Sequence, residues 1–418
     1  MISRVDDVET SGGKRPAVTA RGAARRRKLT EAAGVLFARD GYHNVTVSDI
    51  AAAAGVSGPA IYRHFAGKPA ILAELMRGGF DDIDEIRTAT LAERDAADPA
   101  ARLAAVIRAL AAWVVRHPEF GVLWRREFRH LAEPDAAELA ERMSAGPVEM
   151  IDELRRARPE LDADDARLLV WAALSVLGSV SDHRIRPGRP ELEQLMASMA
   201  ADVLRVDLPE SSAAAGPAVP KAAEVTASPA ASRREELIAQ AVRLFWESGY
   251  HGVTMEDIGA AAGIAGPSVY KHFDGKADVL RAAVRRLGDR LLATVEDLDQ
   301  ATNTDNVPAA RVALLVRRYV EAVVADRGLV AAFQVEVHNL PDRDRAEARR
   351  MVRTYARHWE QALAAALPGR TEAEIRIRIY AAFAVVNDSV RTRSLAEQSE
   401  VVANLQAIAL AVLNVNET

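Results

Sequence analysis

Apolar residues recur at three- and four-residue spacing along almost the whole chain, on segments dominated by Ala, Leu, Arg and Glu, and no stretch alternates long enough for a sheet. The pattern predicts an all-α protein. Its punctuation is sharpest between Gly41 and Lys68. A helix over about 25–39 stops at Gly41, where a left-handed backbone can end it. Thr46 and Asp49 have the spacing of a capping box and start a second helix of one to two turns, which Gly55 ends. A third short helix begins at Pro59, a residue tolerated in a first turn. Ile61 and Phe65, four positions apart, face inward, so Gly58, Ala60, Tyr62 and Arg63 face outward.

The same segment occurs twice. "GYHNVTVSDIAAAAGVSGPAIYRHFAGK", residues 41–68, returns 208 positions later as "GYHGVTMEDIGAAAGIAGPSVYKHFDGK", residues 249–276, with 18 of 28 positions identical. Similarity continues faintly beyond it: "LWRREFRHL" (123–131) faces "AFQVEVHNL" (332–340), with one residue inserted and Glu127 opposite Glu336. The duplication therefore covers whole units of about 200 residues, too long a period for a solenoid. Residues 207–231, rich in Ala, Pro and Ser, read as a linker, and residues 1–22 as a disordered, partly basic arm. The expected organisation is a first helical module over 23–70 with its companion domain over 71–206, then a second module over 232–278 with a companion over 279–418.

Composition narrows the chemistry. A chain of 418 residues is long enough for two or more cores. It has no cysteine, which excludes disulfides, thiolate metal sites and cysteine nucleophiles and points to the reducing cytoplasm. The net charge of −5 requires any nucleic-acid binding to come from a local basic face. The longest apolar run, Leu168 to Val180, is shorter than the roughly 20 residues of a membrane helix, and no secretion signal opens the chain. "AGKP" and "DGKA" lack the remainder of a phosphate-binding loop, and "GSVSD" is not a nucleophile elbow. No histidine pair has metal-ligand spacing, so neither an enzyme nor a cofactor nor a metal is expected.

Two short helices joined by a glycine-containing turn form a helix-turn-helix, which presents its second helix to the major groove of DNA. Both copies carry T-x-x-D-I with the later Y-x-H-F-x-x-K, and they resemble the N-terminal domain of the TetR family of transcription regulators. The fused arrangement resembles the tandem TetR repressors of actinobacteria that control lipid-import and lipid-degradation operons, and "VLWRREFRHLAEPD" adds to that likeness. The resemblance implies two fused all-α units, each with a helical C-terminal domain that binds a small apolar or amphipathic effector. It also implies pairing through a four-helix bundle, here of helices near 162–182, 190–206, 371–392 and 398–415.

The same resemblance implies double-stranded DNA as partner, contacted by Arg25, Arg26, Thr46, Gly58, Pro59, Ala60, Tyr62, Arg63, His64 and Lys68. Their counterparts are Thr254, Gly266, Pro267, Ser268, Tyr270, Lys271, His272 and Lys276. Other readings stay open: packing aromatics for the tyrosines, helix-end capping for the histidines, solvated side chains for the lysines. Candidate effector contacts are Trp113, Phe120, Trp124, Phe128 and Trp171 in the first half and Phe333, Trp359 and Phe383 in the second, with core packing as the alternative. Glu127 and Glu336 lie in apolar stretches and need partners, either a neighbouring arginine such as Arg126 or the polar head of a ligand. Charge separates the copies. Residues 21–68 hold eight Lys and Arg against three Asp and Glu, a balance of +5; residues 229–276 hold five against six, a balance of −1. The favoured reading is a ligand-responsive DNA-binding repressor acting as an intrachain pseudo-dimer on an asymmetric operator. The alternative is a ligand- or partner-binding module whose helix-turn-helix copies are vestigial.

Overall fold

The computed structural model describes residues 20–92, 98–209, 232–301, 307–392, 395 and 400–415. Most of the expected arm and linker, residues 1–19 and 210–231, lies outside the described residues. All regular structure among the described residues is helical, and the chain divides into two compact units, Met1–Leu75 and Met76–Thr418.

The smaller unit contains α1 (Ala20–Asp40), α2 (Val47–Ala54), α3 (Gly58–Ile61) and the start of α4 (Lys68–Ala92). Its α1 begins five residues before the expected start, on an Ala- and Arg-rich stretch of high helix propensity. Leu29, Phe37, Ile50, Ile61 and Phe65 are buried at its centre. Gly41 and Gly55 have φ of +85° and +67°, left-handed values that cost a side-chain-bearing residue energy. The Thr46 hydroxyl accepts the Asp49 N–H at 3.1 Å while the Asp49 carboxylate accepts the Thr46 N–H at 2.8 Å, closing the capping box. The Thr46 hydroxyl, donating at 2.7 Å, and then the Thr46 N–H hold the Asp49 carboxyl below the usual carboxylate range.

The larger unit continues with α5 (Pro99–Arg116) and α6 (Glu119–Val122), a π turn over Leu123–Glu127, then α7 (Glu133–Ala145), α8 (Val148–Ala157), α9 (Ala163–Gly178) and α10 (Arg189–Leu204). The second copy follows as α11 (Ser232–Gly252), α12 (Met255–Ala261), α13 (Gly266–Val269), α14 (Lys276–Ala301), α15 (Pro308–Ala325), α16 (Arg327–Glu336), α17 (Asp342–Ala366), α18 (Glu372–Arg391) and α19 (Val401–Leu413). Within it α9 packs on α18 and α10 on α19, and each copy's own pair also packs together. One apolar cluster runs through this bundle and on through Leu237, Phe245, Ile258 and Phe273 of the second helix-turn-helix. The second reading module is therefore built into the larger unit's core, whereas the first forms a compact unit of its own.

His183, between α9 and α10, is buried, and neither ring nitrogen has a hydrogen-bond partner. Burial first, and Arg186 second, push it down to about 4. An unfolded histidine titrates near 6.5, so between pH 6.5 and 4 the unfolded chain binds more protons and stability falls as pH is lowered. The full effect for this group is roughly 3 kcal/mol. His183→Phe is expected to lose less stability than the wild type between pH 7.5 and 4.5, as read by urea unfolding; parallel pH profiles would contradict this.

Candidate nucleic-acid interface and ligand cavities

Each helix-turn-helix leaves a small set of side chains free of its core. Tyr62 and Tyr270 are 63% and 51% exposed, unusual for aromatics. Arg63, Lys271, Pro59 and Pro267 are exposed beside them, with Gly58, Ala60, His64, Gly266, Ser268 and His272 half-buried. Arg25, Arg27 and Lys28 are exposed on α1. Thr46 and Thr254 are exposed, with their hydroxyls engaged in the two capping boxes.

Three of the basic candidates already have work inside the fold. The Arg26 guanidinium meets Glu74 at 2.9 Å, donates to the His64 carbonyl and lies 4.4 Å from the Phe65 ring centre. Arg234, at the equivalent position, makes the same contacts with the His272 carbonyl and the Phe273 ring. Lys68 Nζ donates to the Tyr42 and Val45 carbonyls at 2.6 and 2.9 Å and stands over the Tyr42 ring; Lys276 repeats this with the Val253 carbonyl and Tyr250. Arg26 and Arg234 tie the first helix of each module to the segment just after the reading helix, and Lys68 and Lys276 tie the turn before α2 or α12 to the start of α4 or α14. The repeat of Arg26 as Arg234 and of Lys68 as Lys276 was the sequence signal for a shared structural task.

The larger unit holds two cavities of similar size. The first, of about 320 Å³, is lined by Phe80, Trp113, Phe120, Trp124 and Trp171 from the first copy and by Trp246, Asp388 and Arg391 from the second. The second, of about 310 Å³, is lined by Tyr319, Phe333, Tyr355, Tyr380 and Phe383, with Arg125 and Asp182 of the first copy at its border. Both fall at the lower end of the range for small-molecule sites. Trp359 lines neither: it is buried against Tyr319, Tyr355 and Phe383 and is a core residue of the second half. Trp246 was missed by sequence reasoning. It sits on α11 of the second helix-turn-helix, 47% exposed next to the fully buried Phe245, and a tryptophan on the outer face of an amphipathic helix was the available signal.

Glu127 and Glu336 have different surroundings. Glu127 is fully buried and pairs locally with Arg126 and with His130, 3.6 Å away. Glu336, 1% exposed, pairs with both terminal nitrogens of Arg129 from the first copy, one at 3.0 Å. It also accepts from Asn339 Nδ2 at 2.7 Å and from the Tyr250 N–H at 3.2 Å. A single carboxylate thus joins the segment that carries Trp124, the helix that carries Phe333, and the turn at the end of α11, where Gly249 with φ of +71° breaks the helix ahead of α12. Phe128 and Glu336 border a further hollow of about 270 Å³ beside Trp124 and Trp246. No described helix is long and apolar enough to cross a membrane.

The pattern described as bacterial regulatory proteins of the tetR family matches residues 29–75 and 237–283, the two helix-turn-helix modules. Over 174 residues the chain is 30% identical to the transcriptional repressor KstR2 of Mycobacterium tuberculosis, which covers 40% of this chain and 84% of that protein. KstR2 of Rhodococcus jostii is 35% identical over 113 residues, 27% of this chain and about half (54%) of that relative's length. The solved structure of the ketosteroid transcriptional regulator KstR2 of M. tuberculosis is 24% identical over 45% of this chain and 96% of that one, with a TM-score of 0.39.

Proposed function

Because this chain belongs to the TetR family of DNA-binding bacterial regulators, we propose that it is a ligand-responsive repressor in which one chain supplies both reading faces of a pseudo-dimer. The observation that carries this reading is the packing of α9 on α18 and α10 on α19 in one apolar core. A dimeric helix-turn-helix protein reads half-sites about one DNA turn, roughly 34–36 Å, apart. Here Ala60 stands opposite Ser268 and Arg63 opposite Lys271, so the two half-sites differ and the operator is asymmetric. The likeness to a repressor described as a ketosteroid regulator favours genes of steroid or lipid uptake and degradation. Footprinting upstream of its own and neighbouring genes, with light scattering of the complex, tests the reading. A perfect inverted repeat held by two chains, each giving one module, would sink it.

The two cavities are the effector sites, and their aromatic linings suit an acyl or sterol-like metabolite that weakens DNA binding. The route from cavity to DNA is short. Trp246 is both a wall of the first cavity and a residue of α11, and Glu336 joins both halves to the turn at Tyr250. Occupancy that moves these groups re-aims the second reading helix.

The first module anchors the complex and the second adds selectivity. Neutralising Arg25, Arg27 and Lys28 together, and sparing Arg26 for its packing, is expected to lower the salt slope of DNA binding by up to about 0.9 per lost phosphate contact. All DNA sequences should weaken alike. Arg63→Ala is expected to cost about 1–3 kcal/mol of operator affinity and to relax one half-site, as for a planar fork on a guanine edge. Lys271→Ala should cost less, because an ammonium makes a point contact. Operator affinities of both variants at two salt concentrations decide this; equal or reversed losses would reject the assignment.

A further inference from the structure

The cavities match in size but not in chemistry, and we propose that they select different ligands: the first an apolar chain with an anionic head, the second an uncharged apolar molecule bearing a hydroxyl. The proposal rests on reading the cavities as effector sites. It makes the protein a two-input regulator.

Equivalent residues of the two halves lie 209 positions apart, from Pro99 and Pro308, which open α5 and α15, to Asp162 and Thr371, which cap α9 and α18. At that spacing twelve lining positions correspond. At five of them the first cavity has Leu110, Arg125, Gly146, Trp171 and Gly178. The second has Tyr319, Gln334, Tyr355, Tyr380 and Asn387. Three positions with no polar side chain have gained a phenol or an amide, Arg125 has become a neutral amide, and at two further positions Arg142 has become Met351 and Ser175 has become Ala384. Duplication therefore left the shell in place and changed the polar groups on it.

The groups left without partners point the same way. In the second cavity Gln334 Oε1 and the Tyr355 hydroxyl are buried with no hydrogen-bond partner, and a buried acceptor is costly until a donor reaches it. A ligand hydroxyl supplies that donor. A carboxylate could accept from Tyr355 but would leave Gln334 Oε1 without a donor and set negative charge against it. In the first cavity the orphans are groups that can donate: the Nε–H of Arg87, whose terminal nitrogens pair with Asp84 and Glu149, the Ser181 hydroxyl, and the Nε–H of Arg391, which borders both cavities. An anionic oxygen satisfies such a donor and gains charge assistance. Arg125, Arg126 and Arg391 also border the second cavity. Arg125 is held by Asp182 at 2.6 Å and Arg126 is paired with Glu127, while Arg391, shared by both cavities, does not distinguish them, so Arg87 carries the difference on the first side.

The test uses the full-length protein without DNA and two probes of equal chain length, 1-dodecanol and dodecanoate, titrated by calorimetry. Each is expected to bind without displacing the other. Gln334→Met, of similar size, should weaken dodecanol at least tenfold and leave dodecanoate within twofold; Arg87→Met should do the reverse. The proposal is overturned if the probes compete for one site, if dodecanol does not bind, or if Gln334→Met affects both alike or neither. Operator affinity is measured separately. Dodecanol bound through Gln334 with no change in operator affinity would uphold the selectivity and reject the effector reading.

Discussion

Glu336→Ala is expected to destabilise the larger unit by about 3–5 kcal/mol, the cost of breaking a buried ion pair by removing one partner. The carboxylate is 1% exposed and serves the Arg129 guanidinium, Asn339 and the Tyr250 N–H together. Alanine leaves a half-buried cation and a backbone donor unpaired in one stroke. Glu336→Gln keeps an acceptor for the Tyr250 N–H and should cost clearly less. Urea unfolding of the larger unit measures both. A loss under about 1 kcal/mol for the alanine variant would show that water or another group replaces the carboxylate, and that the link from cavity to reading turn is weak.

Phe37→Ala and Phe245→Ala are each expected to cost about 3–5 kcal/mol, the usual range for emptying a buried phenylalanine site. Both rings are fully buried and occupy equivalent positions of the two helix-turn-helix modules. Their consequences should differ in extent. Phe37 belongs to the compact unit ending at Leu75, so amide exchange should rise there and not in α9 or α18. Phe245 belongs to the cluster that continues into the bundle, and α11 packs on α16, so exchange should rise in α11, α12, α14 and α16 together. Identical exchange patterns confined to each module would mean that the second module is as independent as the first.

These two predictions lie at the border between what is local and what is not. The turns and caps of both modules were legible because a capping box, a left-handed glycine and a first-turn proline are set by a few neighbouring residues. Ile61 and Phe65 are both buried although α3 ends at Ile61, because the Phe65 N–H still donates to the Ile61 carbonyl at 2.9 Å and the chain keeps helical spacing for one more turn. Four helices of the bundle were legible as elements because each carries a long apolar face.

Partners were another matter. Arg26 and Lys68 have the charge and position of phosphate contacts, yet their fold neighbours, the His64 carbonyl, Glu74 and the Tyr42 and Val45 carbonyls, lie 23 to 48 residues away in sequence. Glu336, opposite Glu127 in the alignment of the copies, pairs with Arg129, 207 positions away. By itself the sequence determined the helices, their ends, the duplication and the outward residues of each reading helix, because those follow from backbone geometry over a few residues. Only the tertiary structure decided which cations remain available to DNA, that Trp246 walls a cavity of the other copy, and that one module shares the bundle's core. Each depends on which helix faces meet, and many pairings of apolar faces are compatible with the same periodicity.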